Sequence, residues 1–363
     1  MNDVLKLLRE DIRDLKAYVP EEVSDAGVKL DANELPWRLP GDNSKRGLNR
    51  YPDSQSRELT ELLASLYKVS PDALLVTRGS DDAIDLLIRA FCRAEHDSVL
   101  VCPPTFSMYS VAAHIQGAQV VELPLDINDG FALSADGIID SWAPGLKVVF
   151  LCSPNNPTGN VIPTEVIESI LSALRNKAVV VVDEAYIEFT QSRSCISLLD
   201  EFDNLIVLRT LSKAYGLAGA RCGVMVARPE ILQVMRRILP PYPLPTPTIE
   251  AVIAVLAEGG GNKSQECISL IAAERERVVS ALILSPYIRR VWPPEANFVL
   301  AETVDKPKLL DLFAGDNLIV RNIECVGGLE NCIRISIGTP DENDILIDII
   351  SGTRREKAQA TVY

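Results

Sequence analysis

The run Val179-Val-Val-Val-Asp-Glu-Ala-Tyr186 decides the fold class, because four consecutive valines lead directly into a carboxylate. A strand that is apolar at every position, and not at every second one, is typical of a parallel sheet covered by helices on both faces. Similar apolar runs recur along the chain and alternate with helical patterns, as at 81–91 and 163–174, which predicts a large, doubly wound, mostly parallel α/β domain. The strands predicted to be buried are 98–102, 119–123, 148–153, 178–183, 204–209 and 222–227.

A proline-rich segment separates this region from a second, smaller α/β pattern. The sequence Pro240-Pro-Tyr-Pro-Leu-Pro-Thr-Pro247 predicts a connection, because proline lacks the amide hydrogen that a helix interior needs. A helical region follows it and is interrupted at Gly259-Gly-Gly261, and strand and helix alternate again from about residue 282. We expect a large domain at 46–281 and a smaller α/β domain formed by 1–45 and 282–363.

Composition excludes several classes of function. A net charge of −14 over 363 residues argues against nucleic acid or an anionic membrane as the main partner. The chain has eight scattered cysteines, two histidines and no zinc-ligand spacing, so we expect reduced thiols and no metal site. We see no signal peptide, no transmembrane run and no Gly-x-Gly-x-x-Gly after a strand, which predicts a cytoplasmic protein and disfavours a dinucleotide-dependent dehydrogenase.

The carboxylate of Asp183 is the first candidate site residue. Ligands of doubly wound sheets bind beyond the carboxyl ends of the strands, where Asp183 is predicted to lie. Burying this carboxylate is costly unless a cation is close, and a protonated pyridine nitrogen would be such a cation. Tyr186, three residues further on, could then donate a hydrogen bond to a phenolic oxygen on the same ring. The alternative is an aspartate that caps the next element.

The segment Thr210-Leu-Ser-Lys-Ala-Tyr-Gly-Leu-Ala-Gly-Ala-Arg221 contains the second set of candidates. Lys213 lies between the hydroxyls of Thr210 and Ser212, and Arg221 follows a glycine-rich stretch. A lysine amine can condense with an aldehyde, while hydroxyls, glycine backbone and an arginine are suited to a phosphate. An aldehyde that carries a phosphate is pyridoxal 5'-phosphate (PLP), so we predict PLP as the cofactor.

The segment Thr77-Arg-Gly-Ser-Asp-Asp-Ala-Ile84 follows a strand and opens a helix. Gly79 permits a tight turn there, and the first helical turn, with Ser80 and Asp81, would expose free N–H groups to the cofactor phosphate. Because the Asp81 carboxylate would repel a phosphate, binding would use the backbone and the Ser80 hydroxyl. An ordinary helix cap is the alternative.

Two more loops follow predicted strands. Cys102-Pro-Pro-Thr-Phe-Ser-Met-Tyr109 places Tyr109 where it could stack on a planar cofactor ring, with ordinary core packing as the alternative. In Ser153-Pro-Asn-Asn-Pro-Thr-Gly159, two prolines fix the loop and present Asn156 as a rigid donor. We expect Asn156 and Tyr186 to polarise the ring oxygen, although a purely structural turn is also possible.

Taken together, these segments resemble the fold-type I PLP-dependent aminotransferases and, within them, the histidinol-phosphate aminotransferases. The likeness runs nearly from end to end. The lysine segment, Ser-Pro-Asn-Asn-Pro-Thr-Gly and Asp-Glu-Ala-Tyr are shared with the whole superfamily. The subfamily resemblance depends on Gly79-Ser-Asp-Asp-Ala-Ile-Asp85, the Cys102–Tyr109 segment, Arg50-Tyr-Pro-Asp53 and the pair Arg321 and Arg334. The sequence departs from the family pattern at Asn33-Glu-Leu-Pro36, within the N-terminal substrate loop.

The resemblance implies a homodimer with shared active sites, in which Tyr51 reaches the cofactor phosphate of the other subunit. It implies that Arg334 and Arg321 bind the acidic group of the substrate, and that Tyr18 closes over it. The implied reaction of histidine biosynthesis transfers an amino group between L-histidinol phosphate and 2-oxoglutarate. An aromatic or broad-range aminotransferase and a threonine-phosphate decarboxylase remain alternatives. A PLP-binding regulatory domain would need a basic helix-turn-helix stretch, which the sequence does not show.

Overall fold

The computed structural model describes residues 3–16, 28, 30–323 and 328–352. Within them, helices flank two β-sheets. The helices are α1 (Glu10–Arg13), α2 (Arg57–Tyr67), α3 (Ser80–Phe91), α4 (Met108–Gln116), α5 (Ala135–Asp140), α6 (Thr164–Ala173), α7 (Pro229–Ile238), α8 (Thr246–Val255), α9 (Gly261–Leu284), α10 (Lys306–Gly315) and α11 (Pro340–Ser351). The strands are β1 (Leu74–Thr77), β2 (Ser98–Val101), β3 (Gln119–Glu122), β4 (Leu146–Cys152), β5 (Val179–Asp183), β6 (Leu205–Thr210), β7 (Gly223–Ala227), β8 (Ile288–Val291), β9 (Phe298–Thr303), β10 (Arg321–Asn322) and β11 (Cys332–Ser336).

In the described part of the chain, β1 to β7 form one seven-stranded sheet in the order β1-β7-β6-β5-β4-β2-β3. The pairs from β6 to β3 are parallel, and β7 is antiparallel to both β1 and β6. One hydrophobic core lies on each face: α2, α6 and α8 cover one side, and α3, α4 and α7 cover the other. The predicted doubly wound, mostly parallel sheet is therefore confirmed.

All six predicted strands exist, but one of them is not buried. β3 lies at the edge of the sheet, and both of its end residues, Gln119 and Glu122, are exposed. An edge strand has a neighbour on one side only, so its continuous apolar centre is only half covered. The prediction that 119–123 is buried was wrong for this reason.

β8 to β11 form a second, antiparallel sheet in the order β10-β11-β9-β8. Side chains of α9, α10 and α11 pack against it, including Val278, Phe313 and Leu346. The second α/β unit is thus present, and the C-terminal part of α9 belongs to its core. The predicted domain boundary near residue 281 consequently falls inside the end of a continuous helix.

The N-terminal residues differ from the expected domain division. Val4, Leu7 and Leu8 are buried in the core formed by α3, α4 and α7, and the Arg9 N–H donates to the carbonyl of Ala90 at 3.0 Å. The described residues 3–13 therefore pack on the large sheet, which contradicts their assignment to the small domain. The reason is that their three apolar side chains are buried by packing against helices of the large domain.

Proline and glycine shape the connection between the two sheets. α8 begins at Thr246 and contains Pro247, earlier than predicted, because the first turn of a helix tolerates proline. The predicted interruption near Gly259 is confirmed, since this glycine has a φ of +84° between α8 and α9. Among the described residues, every helix is too short or too polar to span a bilayer.

Gly223 provides a test of how closely the sheet approaches α3. In β7 it pairs with Thr77 on one side and with Thr210 on the other. A Cβ at this position would lie 2.6 Å from the Gly79 carbonyl carbon and 2.7 Å from the Ser80 nitrogen. We expect Gly223→Ala to lower the free energy of unfolding of the apoprotein by about 1–3 kcal/mol in urea titrations, because backbone must move.

Gly219→Ala is the matched control for that substitution. Gly219 precedes β7 in the same region, and a Cβ there would have no neighbouring atom within 4 Å. Equal stability of the two alanine variants would contradict the tight approach.

Candidate active site

A cavity of about 880 Å³ lies at the carboxyl ends of the parallel strands and extends to the second sheet. The fold thereby brings together most of the residues predicted from sequence, together with several that were not predicted. The predicted residues in the lining are Ser80, Asp81, Asn156, Asp183, Tyr186, Thr210, Ser212, Lys213, Arg221, Arg321 and Arg334. The lining residues that sequence reasoning missed include Thr105, Phe106, Ser107, Cys152, Val320, Asn322 and Ile323.

Asp183 ends β5 at the floor of this cavity and is only 2% exposed. The Tyr109 hydroxyl donates to its Oδ2 at 2.9 Å, and the Ala185 N–H donates to its Oδ1 at 3.1 Å. Burial raises the pKa of Asp183 to about 6, although both hydrogen bonds act in the opposite direction. A cation that entered the cavity beside this carboxylate would favour its ionised form.

The structure corrects the role expected for Tyr109. Its ring is completely buried and stacks on Phe150, with centroids 4.7 Å apart and an interplanar angle of 6°. Tyr109 is therefore not available to stack on a ligand, and it contacts the site through its hydroxyl. Phe106, which meets the edge of Tyr109 at 5.6 Å, lies in the cavity lining in its place.

Lys213 follows β6 and faces the same cavity. Its Nζ lies 5.7 Å from the centroid of the Tyr186 ring. Burial lowers the pKa of Lys213, and the nearby positive charge of Arg334 lowers it further. A lower pKa increases the fraction of neutral amine, which is the form that acts as a nucleophile or as a base.

A group of polar side chains surrounds the N-terminus of α3. Arg221 Nη1 donates to Ser212 Oγ at 3.3 Å, and the Thr210 hydroxyl donates to the same oxygen at 3.0 Å. Gly79, the residue before α3, supplies no side-chain cap to the first helical turn. Backbone N–H groups, two hydroxyls and a guanidinium thus converge as a phosphate requires.

Gly79 and Asp81 have identifiable roles in this group. Gly79 has a φ of +83°, and a Cβ there would lie 2.8 Å from Arg221 Nη2, so glycine permits the close approach. The Asp81 carboxylate pairs with Arg221 at 3.1 Å. This ion pair explains how a carboxylate can be accommodated beside an anion site.

The second sheet supplies two arginines to the opposite side of the cavity. Arg321 in β10 and Arg334 in β11 are directly paired in the sheet register. Arg334 donates to the Asn156 Oδ1, and Asn156 Nδ2 donates in turn to the Tyr186 hydroxyl at 3.3 Å. Burial lowers the pKa of Arg334, and the charge of Arg321 acts in the same direction. Two adjacent cations indicate a site for an acidic group.

Tyr51, like Gly79 and Tyr109, is a predicted site residue that is not in the cavity lining. Tyr51 is 52% exposed and stacks on Tyr242, with ring centroids 4.4 Å apart. Its expected contact with the cofactor of another subunit stays a prediction. Tyr18 lies outside the described residues. Within the described ranges, no cluster of three or more histidine, cysteine, aspartate or glutamate residues has the arrangement of a metal site.

The residues of the cavity fit the cofactor predicted from the sequence. Asp183 offers a buried carboxylate to a ring nitrogen, and Lys213 offers an amine to an aldehyde. The α3 N-terminus, with Ser212 and Arg221, offers donors to a phosphate. Arg334, whose Nη1 is held by Asn156, lines the same cavity and offers a guanidinium to an acidic substrate group.

Sequence and structure comparisons identify the known proteins to which this chain is similar. A sequence profile for aminotransferase class I and II matches residues 3–350. The histidinol-phosphate aminotransferase of Stenotrophomonas maltophilia is 42% identical over 358 residues, which cover 98% of each chain. The crystal structure of the histidinol-phosphate aminotransferase from Clostridium acetobutylicum superposes with a TM-score of 0.76 at 25% identity, over 85% of this chain and 92% of that one. The crystal structure of the histidinol-phosphate aminotransferase from Sinorhizobium meliloti in complex with pyridoxal-5'-phosphate superposes with a TM-score of 0.75 at 26% identity. The match covers 85% of this chain and 83% of that one.

The hydrogen bond from Tyr109 to Asp183 predicts a pH effect. It favours the ionised carboxylate, so Tyr109→Phe should raise the pKa of Asp183 above about 6. Because the ionised form would pair with the ring nitrogen, PLP affinity should be retained at high pH and lost as the pH falls. The midpoint of that loss should move upward by roughly one pH unit, as expected for a hydrogen bond worth about 1.4 kcal/mol.

Titration of the apoprotein with PLP between pH 5 and 8 measures this midpoint. Tyr67→Phe is the control, because it removes another buried hydroxyl, one without a hydrogen-bond partner in the described structure. A midpoint that moves equally in both variants would show that the effect is not specific to Asp183.

Proposed function

Because this chain belongs to the aminotransferase class I and II family, we propose that it transfers an amino group between L-histidinol phosphate and 2-oxoglutarate. The products in the forward direction are imidazole acetol phosphate and glutamate. The protein is an aminotransferase, and its cofactor is PLP. The observation that carries the choice of substrate is the pair Arg321 and Arg334, which face the cavity from adjacent positions of the second sheet.

Two arginines suit a phosphate monoester better than one. A phosphate carries between one and two negative charges near neutral pH and has three acceptor oxygens, while each guanidinium presents a planar fork of donors. Arg334 is partly buried and already fixed by Asn156, whereas Arg321 is exposed at its edge strand. The distal carboxylate of 2-oxoglutarate would use the same arginines in the second half of the reaction.

The residues of the cavity divide the work of the reaction. PLP, when bound, supplies the aldehyde that condenses with the amine and the ring that withdraws electrons from the substrate carbon. Asp183 would hold the proton on the ring nitrogen, while Asn156 and Tyr186 hydrogen-bond the ring oxygen. Lys213, with its lowered pKa, would take a proton from the substrate carbon on its Nζ and return it.

Two neighbouring activities use a similar set of residues. An aromatic or broad-range aminotransferase would not require a phosphate on the donor, and a threonine-phosphate decarboxylase would release CO₂. Product analysis with 2-oxoglutarate as acceptor separates the decarboxylase, and a panel of donors with and without a phosphate separates the broad-range enzyme.

Arg321→Ala tests the proposed substrate. We expect kcat/KM for histidinol phosphate to fall about 10- to 150-fold, because one charge-assisted contact is lost, and that for histidinol to change far less. Steady-state kinetics with the two donors measures the difference. Arg289→Ala is the control, since Arg289 is also an exposed arginine of the second sheet but pairs with Glu302 outside the lining. Equal losses of kcat/KM for both donors would show that Arg321 does not recognise the phosphate.

We also infer a homodimer whose two subunits share each active site. Tyr51 supports this inference because it is half-exposed and absent from the lining of its own chain's cavity. Its position is nevertheless fixed: its N–H donates to Glu34 Oε1 at 2.7 Å, and Arg50 pairs with the same carboxylate at 2.7 Å. An ordered aromatic beside the Tyr242 ring is suited to serve a neighbouring subunit.

Mixing two inactive variants tests the shared site. Tyr51→Ala should be clearly impaired, and Lys213→Ala should be inactive because, among the described residues, Lys213 is the lysine that lines the cavity. Under conditions of subunit exchange, each mixed dimer would regain one complete site, with the lysine from one subunit and the tyrosine from the other. Activity after exchange should therefore rise well above that of the two proteins assayed separately. With exchange verified by tagged subunits, an absence of any gain would refute the shared site.

We place the reaction in the cytoplasm. The cysteines of the described chain are free, and all of them except Cys267 are buried, as expected for a protein of a reducing compartment.

A further inference from the structure

One segment of the large domain inserts an aromatic side chain into the small domain. Phe131, which is 1% exposed, packs against Trp292 with ring centroids 5.4 Å apart. The other buried members of this cluster all come from the second sheet and its loops, and they are Leu300, Ile323, Leu329 and Cys332. Leu125 and Ile127 add contacts from the same segment as Phe131. The two domains are thus joined by an apolar contact beside the substrate arginines.

The backbone at Phe131 adopts an unfavourable conformation. Its φ is +64°, directly after Gly130 at +63°, and a bulky L-residue rarely occupies this left-handed region. The Phe131 N–H donates to the Asp126 carbonyl at 2.9 Å, and the Asn160 side chain donates to the Phe131 carbonyl at 3.0 Å. Strain of this kind persists only where the surroundings fix it, and here it aims the ring at the small domain.

A chain of hydrogen bonds connects Phe131 to the cofactor side of the cavity. Asn160 accepts a hydrogen bond from the Thr158 hydroxyl. Thr158 accepts one from Asn155 at 2.7 Å, and Asn155 accepts one from the Thr105 hydroxyl at 2.7 Å. Because Thr105 lines the cavity, the backbone of Phe131 has a fixed position relative to the cavity floor.

The Phe131 cluster also includes the residue that follows the β10 strand. β10 has only two residues, Arg321 and Asn322, and within the described ranges it pairs only with β11. Ile323 then enters the Phe131 cluster, and its carbonyl accepts a hydrogen bond from Lys306 Nζ at 2.9 Å. So short an edge strand depends on packing at its end for its position.

We propose that Phe131 is a positioning residue that fixes Arg321 at the distance from Lys213 that a phosphorylated donor requires. The ring itself is not in the cavity lining, so it acts through Ile323 and β10. This inference rests on the proposed function, because it assigns the selectivity of that reaction for phosphate to a contact between domains. Histidinol has neither a phosphate nor a carboxylate, so it does not need Arg321, and its reaction does not depend on the contact.

Phe131→Gly is the sharpest test, because glycine keeps a positive φ without strain and only the side chain is lost. The ratio of kcat/KM for histidinol phosphate to that for histidinol should fall about tenfold, the loss expected when one charge-assisted contact is displaced. Inhibition by inorganic phosphate should weaken by a similar factor, while the content of bound PLP, measured by absorbance, stays as in the parent enzyme.

Three further variants separate positioning from general damage. Leu329→Ala removes the small-domain side of the cluster outside the cavity and should lower the ratio as Phe131→Gly does. Phe131→Leu keeps an apolar side chain and should therefore retain most of the parent enzyme's ratio of kcat/KM values. Leu133→Ala truncates a neighbouring buried side chain that packs in the large-domain core and should leave the ratio unchanged.

The outcomes distinguish this inference from the function on which it rests. If the parent enzyme shows no preference for the phosphorylated donor, the proposed function fails and the positioning role fails with it. If the parent shows the preference and folded Phe131→Gly or Leu329→Ala retains it, the positioning role alone is overturned. Equal losses with both donors, or the same change in Leu133→Ala, would also overturn it.

Discussion

The rest of the site depends on the burial of one carboxylate. Asp183 ends a strand of four valines and is almost inaccessible, so its charge is favourable only if donors and a cation surround it. Tyr109 and the Ala185 N–H supply the donors, and the cavity leaves the remaining side open for a cation. A protonated heterocycle of fitting shape would be bound most favourably there, because its positive charge pairs with the carboxylate. PLP supplies such a ring in an aminotransferase.

A second network of buried charges lies next to Asp183. Glu184, the next residue after Asp183, pairs with Arg209 at 3.3 Å, and Arg209 pairs with Glu188 at 2.7 Å. Arg209 belongs to β6 and directly precedes Thr210, so the ion pair joins the ends of the two strands that carry the carboxylate and the lysine. Removal of one partner from such a buried pair leaves the other charge uncompensated, and the network therefore resists displacement of one strand end relative to the other.

Sequence patterns predicted the sheet and most of the site because both follow from local rules. Continuous apolar runs located the strands, and their carboxyl ends located Asp183, Asn156 and Lys213 at one edge. Tyr109 shows the limit of this reasoning: α4 begins at Met108, and that start turns Tyr109 into the core and leaves Phe106 in the lining. The loop sequence offers both aromatics and does not reveal the phase of the helix.

Contacts between distant segments were beyond the reach of the sequence. Val4, Leu7 and Leu8 are apolar residues in the sequence, but only the folded structure shows that they pack against the large domain. Asp126 and Gly130 are ordinary turn signals, and nothing in their pattern indicates that Phe131 inserts between the domains.

The two sheets carry different residues of the site, so activity depends on the position of one sheet relative to the other. The large sheet holds Asp183 and Lys213, and the small sheet holds Arg321 and Arg334, the arginines proposed to bind the acidic end of the substrate. Helix α9 provides one rigid link, since Ser264 near its start donates to the carbonyl of Ala214 and Val278 packs in the small-domain core.

Arg275 strengthens this link by donating to the carbonyls of Phe189 and Ala296 at 3.2 and 2.9 Å. The Phe131 cluster is a second link, on the side of Arg321. Two links at separate points restrict the rotation of the small sheet more than either link would alone. The length of substrate that the enzyme accepts is therefore set by packing between the domains as much as by the residues that touch the substrate.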